Sequence, residues 1–101
     1  MTNQFCNTQR ELELYFENEE WLVKPATIAL SKAHKAGKFD YERALKFLTN
    51  KYRDAAKQYC LEHGSMTDNW RTMFPVSDRK ACALVTLEGM LQEFRLGNYW
   101  D

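Results

Sequence analysis

An apolar stripe at helical spacing runs through the middle of this chain and restricts it to a largely helical fold. Apolar side chains recur every three or four residues between positions 41 and 59. The stripe consists of Tyr41, Leu45, Leu48, Tyr52, Ala55 and Tyr59. This period matches one face of an α-helix, whereas a half-buried strand alternates every second residue. The pattern predicts a long helix, the third in the chain, with Asp40 as its N-cap and an end at about His63, closed by Gly64.

Two shorter helices are predicted before this long one, and local capping and breaking residues set their expected ends. Thr8 begins a Thr-Gln-Arg-Glu capping box, which predicts a first helix over about 8–17. Asn18 is the expected N-cap of a second helix, in which Pro25 should produce a kink or a break. Gly37 should end this second helix, because glycine readily adopts the left-handed conformation that follows many helices.

An apolar connection and a last helix complete the chain. Residues 64–77 form the one long connection, which should fold back onto the core with one helical turn at about 68–73. Ser77 is the expected N-cap of the last helix, and Gly97 is its expected end. The apolar face of this helix should comprise Leu84, Leu87, Leu91 and Phe94, backed by Ala81, Val85 and Met90.

No stretch of the sequence alternates as a strand would, and only four glycines and two prolines interrupt the helical patterns. We therefore predict an all-α fold, a compact bundle of four or five helices. Its 101 residues are close to the common size of one domain, so a single helical domain is expected over residues 1–101.

The cysteines and the hydropathy pattern indicate a cytoplasmic protein. Cys6, Cys60 and Cys82 are odd in number and widely spaced, which does not fit a disulfide framework. Cys60 and Cys82 lie in apolar helical patterns, so buried free thiols in a reducing compartment are expected. No apolar run approaches the roughly 18–20 residues that span a bilayer, and the first residues show no signal peptide.

The residue types that carry chemistry do not occur in a catalytic pattern. His34 and His63 are expected near the C-terminal ends of helices, where a charged imidazole complements the helix dipole. Four separated glycines do not make a phosphate-binding loop, and the histidine and cysteine spacings fit no metal site. We expect a non-enzymatic protein with no cofactor and no metal.

The charges cancel in total but are unevenly distributed along the chain. Fourteen basic and fourteen acidic residues give a formal net charge of zero, which argues against a general polyanion-binding protein. Residues 1–23 nevertheless contain five glutamates and one arginine, whereas residues 24–57 contain nine basic and three acidic residues. The two segments therefore predict surfaces of opposite charge.

The predicted third helix carries a basic strip on the face opposite its apolar stripe. The basic strip consists of Arg43, Lys46, Asn50, Arg53 and Lys57, and Lys32 and Lys35 of the second helix would extend it. One interpretation is a solvated helix face with the surface pairs Glu42–Lys46 and Asp54–Lys57. The other is a docking surface for an anion, either nucleic-acid phosphates or an acidic protein patch.

An acidic face is the complementary feature near the N-terminus. It consists of Glu13 and Glu17, four residues apart, with Glu20 beyond them. Such a face is often only solvated, but it could also bind a cation or a basic partner. A row of glutamates could also mimic phosphates and compete for a nucleic-acid-binding groove on another protein.

Three segments resemble small helical accessory proteins of phages and plasmids. They are Leu-Tyr-Phe-Glu-Asn-Glu-Glu-Trp at 14–21, Ala-Gly-Lys-Phe-Asp at 36–40 and Gln-Glu-Phe-Arg-Leu-Gly-Asn-Tyr-Trp at 92–100. Some proteins of that class block host defence, including CRISPR effectors and restriction enzymes, by binding them stoichiometrically. The resemblance implies a protein inhibitor rather than an enzyme. It transfers no functional residue, because the segments consist of helix caps and packing residues.

These observations lead to one expected function and two alternatives. We expect an anti-CRISPR-like or anti-restriction-like protein of a mobile genetic element that occludes a host nucleic-acid-processing or defence complex. Its partner is a host protein or nucleoprotein complex, nucleic acid being a further candidate, and it acts as a monomer or a homodimer without membrane contact. The alternatives are a small DNA-associated regulator and a structural subunit whose aromatic tail, Tyr99-Trp100, docks into a larger assembly.

Overall fold

The computed structural model describes residues 4–62 and 69–99, and these two ranges form five α-helices and no strand. The helices are α1 (Gln4–Asn18), α2 (Glu20–Lys35), α3 (Tyr41–Glu62), α4 (Asn69–Met73) and α5 (Val76–Arg95). The predicted all-α bundle of four or five helices is therefore confirmed. The predicted end of α3 at His63 and Gly64 lies outside the described residues.

The core lies between α3 and α5, with α1 and α2 packed over them. Tyr52 of α3 is fully buried, stacks on Phe16 of α1 at 4.3 Å between ring centroids, and shares a 2.7 Å hydrogen bond with Thr86 of α5. At the start of α3, Tyr41 donates a 2.8 Å hydrogen bond to Glu88 of α5. Because Tyr41 near the start of α3 meets Glu88, whereas Lys57 near the end of α3 shares the ring of Trp70 with Arg79 near the start of α5, the two helices are antiparallel.

The start of α1 and the junction with α2 differ from the prediction. α1 begins at Gln4, so Thr8 lies inside the helix and not at its cap. No glycine or proline precedes Thr8 to stop the helix from extending upstream. Asn18 is the last residue of α1, and Glu19 is the N-cap of α2 with an extended backbone (φ −99°, ψ 100°). The carbonyl of Glu19 accepts hydrogen bonds from the backbone N–H groups of Leu22 and Val23.

α2 continues through Pro25 as one helix, which excludes a break, one of the two predicted alternatives at this residue. Proline lacks the N–H that would bond to the carbonyl of Trp21, and its ring crowds the preceding turn. Both residues are exposed, and water can reach that carbonyl side of the helix. A kink at Pro25 stays a prediction.

Three predicted caps are confirmed. Asp40 Oδ1 accepts a hydrogen bond from the backbone N–H of Arg43 at 3.1 Å, which caps α3. Gly37 follows α2 with φ 72°, and Gly97 follows α5 with φ 85°. At the end of α2 the N–H of Lys38 donates to the carbonyl of Ala33 at 2.8 Å, which completes a Schellman motif.

The apolar connection folds back onto the core, as predicted, and carries α4. Trp70 and Phe74 are buried against α3 and α5. The N-cap of α5 is Pro75, whose carbonyl accepts from the N–H groups of Asp78 and Arg79, so Ser77 lies inside the helix and not at its cap. Proline suits this position because it cannot continue α4. Its missing backbone N–H costs little at the start of α5, where an N–H group would have no carbonyl of a preceding turn to bond to.

The core face of α5 differs from the prediction at two positions. Leu87, Leu91 and Phe94 are buried, but Leu84 is 42% exposed and Val85 is 57% exposed. α5 is apolar around most of its circumference, so spacing alone did not identify the buried side. Tyr41, the first member of the apolar stripe on α3, is likewise 38% exposed because its hydroxyl reaches out to Glu88.

Candidate binding surface

All five residues of the basic strip are exposed on the outer face of α3. The opposite face buries Leu48, Tyr52 and Ala55 completely. Because these residues anchor α3 in the core, the helix presents the basic strip on a rigid support. The strip therefore has the geometry of a surface that can meet a partner.

Two neighbouring grooves divide the basic strip. Lys46 and Asn50 line a shallow groove together with Lys80 of α5. Arg43 lines a different groove, which Lys38 and Phe47 also border. The strip therefore does not act as one uniform row, since its middle part faces α5 and its first residue faces the end of α2.

The C-terminal part of the strip joins cations from two other helices around one indole ring. Lys57 Nζ lies 5.2 Å from the centroid of Trp70, and the guanidinium carbons of Arg71 and Arg79 each lie 5.1 Å from it. We call Lys57, Trp70, Arg71 and Arg79 the Trp70 cluster. Trp70 itself is only 6% exposed, so the cations cover a ring that closes the core.

The charges of the Trp70 cluster influence one another and Arg53. Partial burial, Arg53 and Arg71, in that order, lower the pKa of the Arg79 guanidinium. Arg79 Nε donates a 3.0 Å hydrogen bond to the carbonyl of Phe74, which fixes the base of its side chain. Arg53, Arg71 and Arg79 thus form one region of positive potential although they come from α3, α4 and α5.

Among the described side chains one ion pair is formed, between Arg53 Nη2 and Asp54 Oδ1 at 3.7 Å. The predicted surface pairs Glu42–Lys46 and Asp54–Lys57 are not among the ion pairs of the described residues. The interpretation of the basic strip as a solvated helix face therefore has one ion pair, Arg53–Asp54, in place of the two predicted ones.

The acidic face is only partly assembled. Glu17 and Glu20 are exposed and line a shallow groove with Lys24, whereas Glu13 is half-buried. Desolvation raises the pKa of Glu13, Arg10 lowers it, and Glu17 raises it again, so Glu13 and Glu17 are electrostatic neighbours. No group of three or more acidic, histidine or cysteine side chains suited to a metal occurs in the described part of the chain.

Other N-terminal glutamates are committed to contacts within the protein. Glu11 accepts a hydrogen bond from the hydroxyl of Tyr59, and Glu19 accepts one from the indole N–H of Trp21. Phosphate mimicry would require a continuous row of free carboxylates, and those of Glu11 and Glu19 are instead hydrogen-bonded within the protein. The basic surface is the better developed of the two candidate surfaces.

The described histidine and cysteines have structural roles. His34 Nδ1 is 3.0 Å from the hydroxyl of Tyr99, and its ring packs against Phe39 and Phe94. Cys60 and Cys82 are buried and free, as predicted. The His63 side chain and the Cys6 side chain lie outside the described residues.

Sequence reasoning identified the basic strip but missed Arg71, Arg79 and Lys80 as parts of the same surface. They follow Lys57 by fourteen or more positions and lie on separate helices. One sequence signal could have indicated this surface: Arg71 follows the large aromatic Trp70 in a connection that is too apolar to remain in solvent. Placing Arg79 and Lys80 beside it required the antiparallel packing of α5 on α3.

The basic strip and the Trp70 cluster lie on a small all-α helical bundle. No protein-family model, curated protein or solved structure matches the chain. No helix in the described residues combines the length and the apolar character needed to cross a membrane.

Proposed function

We propose that this protein is a non-enzymatic inhibitor, encoded by a mobile genetic element, that occludes a host nucleic-acid-processing or defence complex. The observation that carries the proposal is the exposed basic surface that α3 presents together with cations of α4 and α5. The similarity of three segments to phage and plasmid accessory proteins supports the mobile-element origin.

A binding role suits the chemistry of this surface better than catalysis does. Its polar groups are long cationic side chains, which attract and hold an anionic surface but are protonated and poor as acid–base catalysts near neutral pH. His34, the histidine within the described residues, is packed among aromatic rings. These features support a protein that acts by contact and not by turnover.

The mechanism combines electrostatic attraction with steric occlusion. A basic surface on a small domain steers it toward a negatively charged partner and raises the association rate. The 22 residues of α3 correspond to a rod of about 33 Å. Docked along this length, the bundle blocks access to the surface that it covers.

The experiment is capture from a bacterial lysate followed by an inhibition assay. The tagged protein is incubated with lysate at about 150 mM salt, with and without nuclease treatment, and retained complexes are identified and assayed for activity. We expect a nucleic-acid-processing complex in stoichiometric amount. Charge reversal at Arg43, Lys46, Arg53 and Lys57 should abolish both capture and inhibition without loss of helical content.

A matched variant controls for total charge. Reversal of Arg10, Lys24 and Arg95, which are exposed and lie outside the strip and its extension, should leave most of the inhibition intact, whereas reversal of Lys46, Arg53 and Lys57 should not. Neutralising Glu13, Glu17 and Glu20 tests the acidic face separately. An inhibitor that retains full potency after reversal of all four strip residues would exclude the basic strip, and retention of nucleic acid without any protein would favour a DNA-associated regulator.

A further inference from the structure

The Trp70 cluster concentrates cations to a degree that packing alone does not require. Energetically significant cation–π pairs occur about once in 70–80 residues of protein structure. Here three cations lie within 5.1–5.2 Å of one indole centroid. Since all three distances share that centroid, no two of the charges are farther apart than twice this distance. Their mutual repulsion makes the cluster a site that an external anion would stabilise.

Within residues 4–62 and 69–99, no carboxylate forms an ion pair with Lys57, Arg71 or Arg79. Asp78 precedes Arg79, but it is buried and accepts a 3.4 Å hydrogen bond from Gln9 of α1. Asp54 pairs with Arg53, at the margin of the cluster. Lys57 and Arg71 remain exposed, so the positive charge is accessible at the surface.

Further cations extend the cluster in one direction. Lys46 and Lys80 border the groove between α3 and α5, and Arg53 lies between this groove and the Trp70 cluster along α3. Positions 46, 53 and 57 follow one face of α3 over about 17 Å. An elongated anion with regularly repeated charge fits this arrangement better than a single compact anion does.

We infer that the Trp70 cluster, together with Lys46, Arg53 and Lys80, binds the phosphodiester backbone of a double-stranded nucleic acid. The inference rests on the proposed function and names the anion that the basic surface meets in the host complex. Arginine guanidinium groups match phosphate oxygens in a bidentate geometry, and a duplex carries about one charge per 1.7 Å of its axis.

The structure favours duplex over single-stranded nucleic acid. Proteins that hold single strands stack the bases on exposed aromatic rings. Trp70 is buried and covered by cations, so its ring faces are closed to a base. The surface therefore binds backbone phosphates without reading the base sequence, and the strand form with the higher charge density binds more tightly.

The test uses the purified full chain and a fluorescent duplex of about 20 base pairs, with fluorescence anisotropy measured between about 50 and 200 mM salt. We expect the logarithm of the binding constant to fall with the logarithm of salt at a slope of about −4, as four or five phosphate contacts would give. The duplex should bind more tightly than either of its single strands. An unrelated duplex of equal length should bind equally well.

Two variants localise the site. Lys57→Gln with Arg71→Gln should weaken duplex binding at least about tenfold at low salt and reduce the salt slope by about two. Lys24→Gln with Lys38→Gln removes the same charge from exposed positions outside the cluster and should change binding less than about twofold. Thermal unfolding of each variant verifies that the bundle is intact.

Several outcomes would overturn the inference and leave the proposed function standing. These are no duplex binding at about 50 mM salt, tighter binding to single strands, or equal weakening in the control variant. If Lys57→Gln with Arg71→Gln loses a host complex from nuclease-treated lysate while the wild type binds no duplex, the partner is an acidic protein surface. If the protein binds the duplex but neither captures nor inhibits any host complex, the proposed function is overturned and the assignment of the Trp70 cluster as a phosphate-binding site stands.

Discussion

The rings of Tyr15 on α1 and Tyr59 on α3 meet edge to face, with their centroids 5.5 Å apart. Each hydroxyl donates a 2.9 Å hydrogen bond to a carboxylate of the other's helix, Tyr15 to Glu62 and Tyr59 to Glu11. The two helices are therefore joined by a reciprocal pair of tyrosine–carboxylate contacts. Each contact occupies one carboxylate oxygen, Oε2 of Glu62 and Oε2 of Glu11.

Loss of either hydroxyl should weaken the bundle modestly. We expect Tyr15→Phe and Tyr59→Phe each to lower the free energy of unfolding by about 0.5–1.5 kcal/mol, near the lower limit because the bonds are exposed. Tyr59→Ala should cost about 3 kcal/mol, because the ring also contacts Phe74 at 5.4 Å. Urea unfolding measures all three. Equal stability of Tyr59→Phe and Tyr59→Ala would show that the ring contacts contribute nothing.

The protein should lose stability at alkaline pH. Burial raises the pKa of the Cys82 thiol from its ordinary 9.0 to about 12, and burial also raises the pKa of Tyr52. Between pH 9 and about pH 12, the unfolded chain releases the Cys82 proton while the folded protein keeps it. Because the folded state then binds more protons, the free energy of unfolding falls as pH rises above about 9.

Urea unfolding near pH 8 and about pH 10.5 checks this dependence. Tyr52→Phe and Cys82→Ala should each be less stable than the wild type near pH 8 but lose less on going to the higher pH. For Tyr52→Phe the cost at pH 8 should be about 1 kcal/mol, from loss of the hydrogen bond to Thr86. An alkaline loss of equal size in the wild type and both variants would contradict the assignment.

The glycines should respond oppositely to substitution by alanine. Gly37 and Gly97 have positive φ, so Gly37→Ala and Gly97→Ala should each cost about 1 kcal/mol from backbone strain. A Cβ atom at either position meets nothing within 4 Å, so no clash adds to this cost. Gly89, inside α5, is the control: Gly89→Ala should stabilise the protein by up to about 1 kcal/mol. Thermal unfolding of the three variants distinguishes the expected loss of stability at Gly37 and Gly97 from the expected gain at Gly89.

Replacement of Pro25 should stabilise α2. Pro25→Ala restores a backbone donor inside the helix and removes the steric conflict with the preceding turn. We expect the free energy of unfolding to rise by about 1 kcal/mol or more. Ala26→Gly, one position away, should instead destabilise, because it loosens the helix and removes a buried methyl group. A decrease in the stability of Pro25→Ala would show that the packing of α2 depends on a bend at this residue.

Chemical signals within a few residues were enough to predict many helix ends. Asp40 caps α3 because a carboxylate before a helix accepts its free N–H groups, and Gly37 and Gly97 end helices because glycine tolerates positive φ. The starts of the helices were predicted less well than their ends. Thr8 and Ser77 have capping side chains, but each lies inside a helix that begins earlier in the chain. A capping residue permits a helix start and does not require one.

The helical period by itself determined that this chain forms an all-α bundle, and it separated the basic strip from the apolar stripe of α3. Only the tertiary structure decided which side of α5 is buried, because Leu84 and Val85 satisfy the apolar pattern as well as the buried residues do. It also decided that Arg71 and Arg79 share one indole ring with Lys57. Spacing fixes neighbours within one helix, whereas charges on three helices meet only when antiparallel packing and a buried Trp70 bring them together.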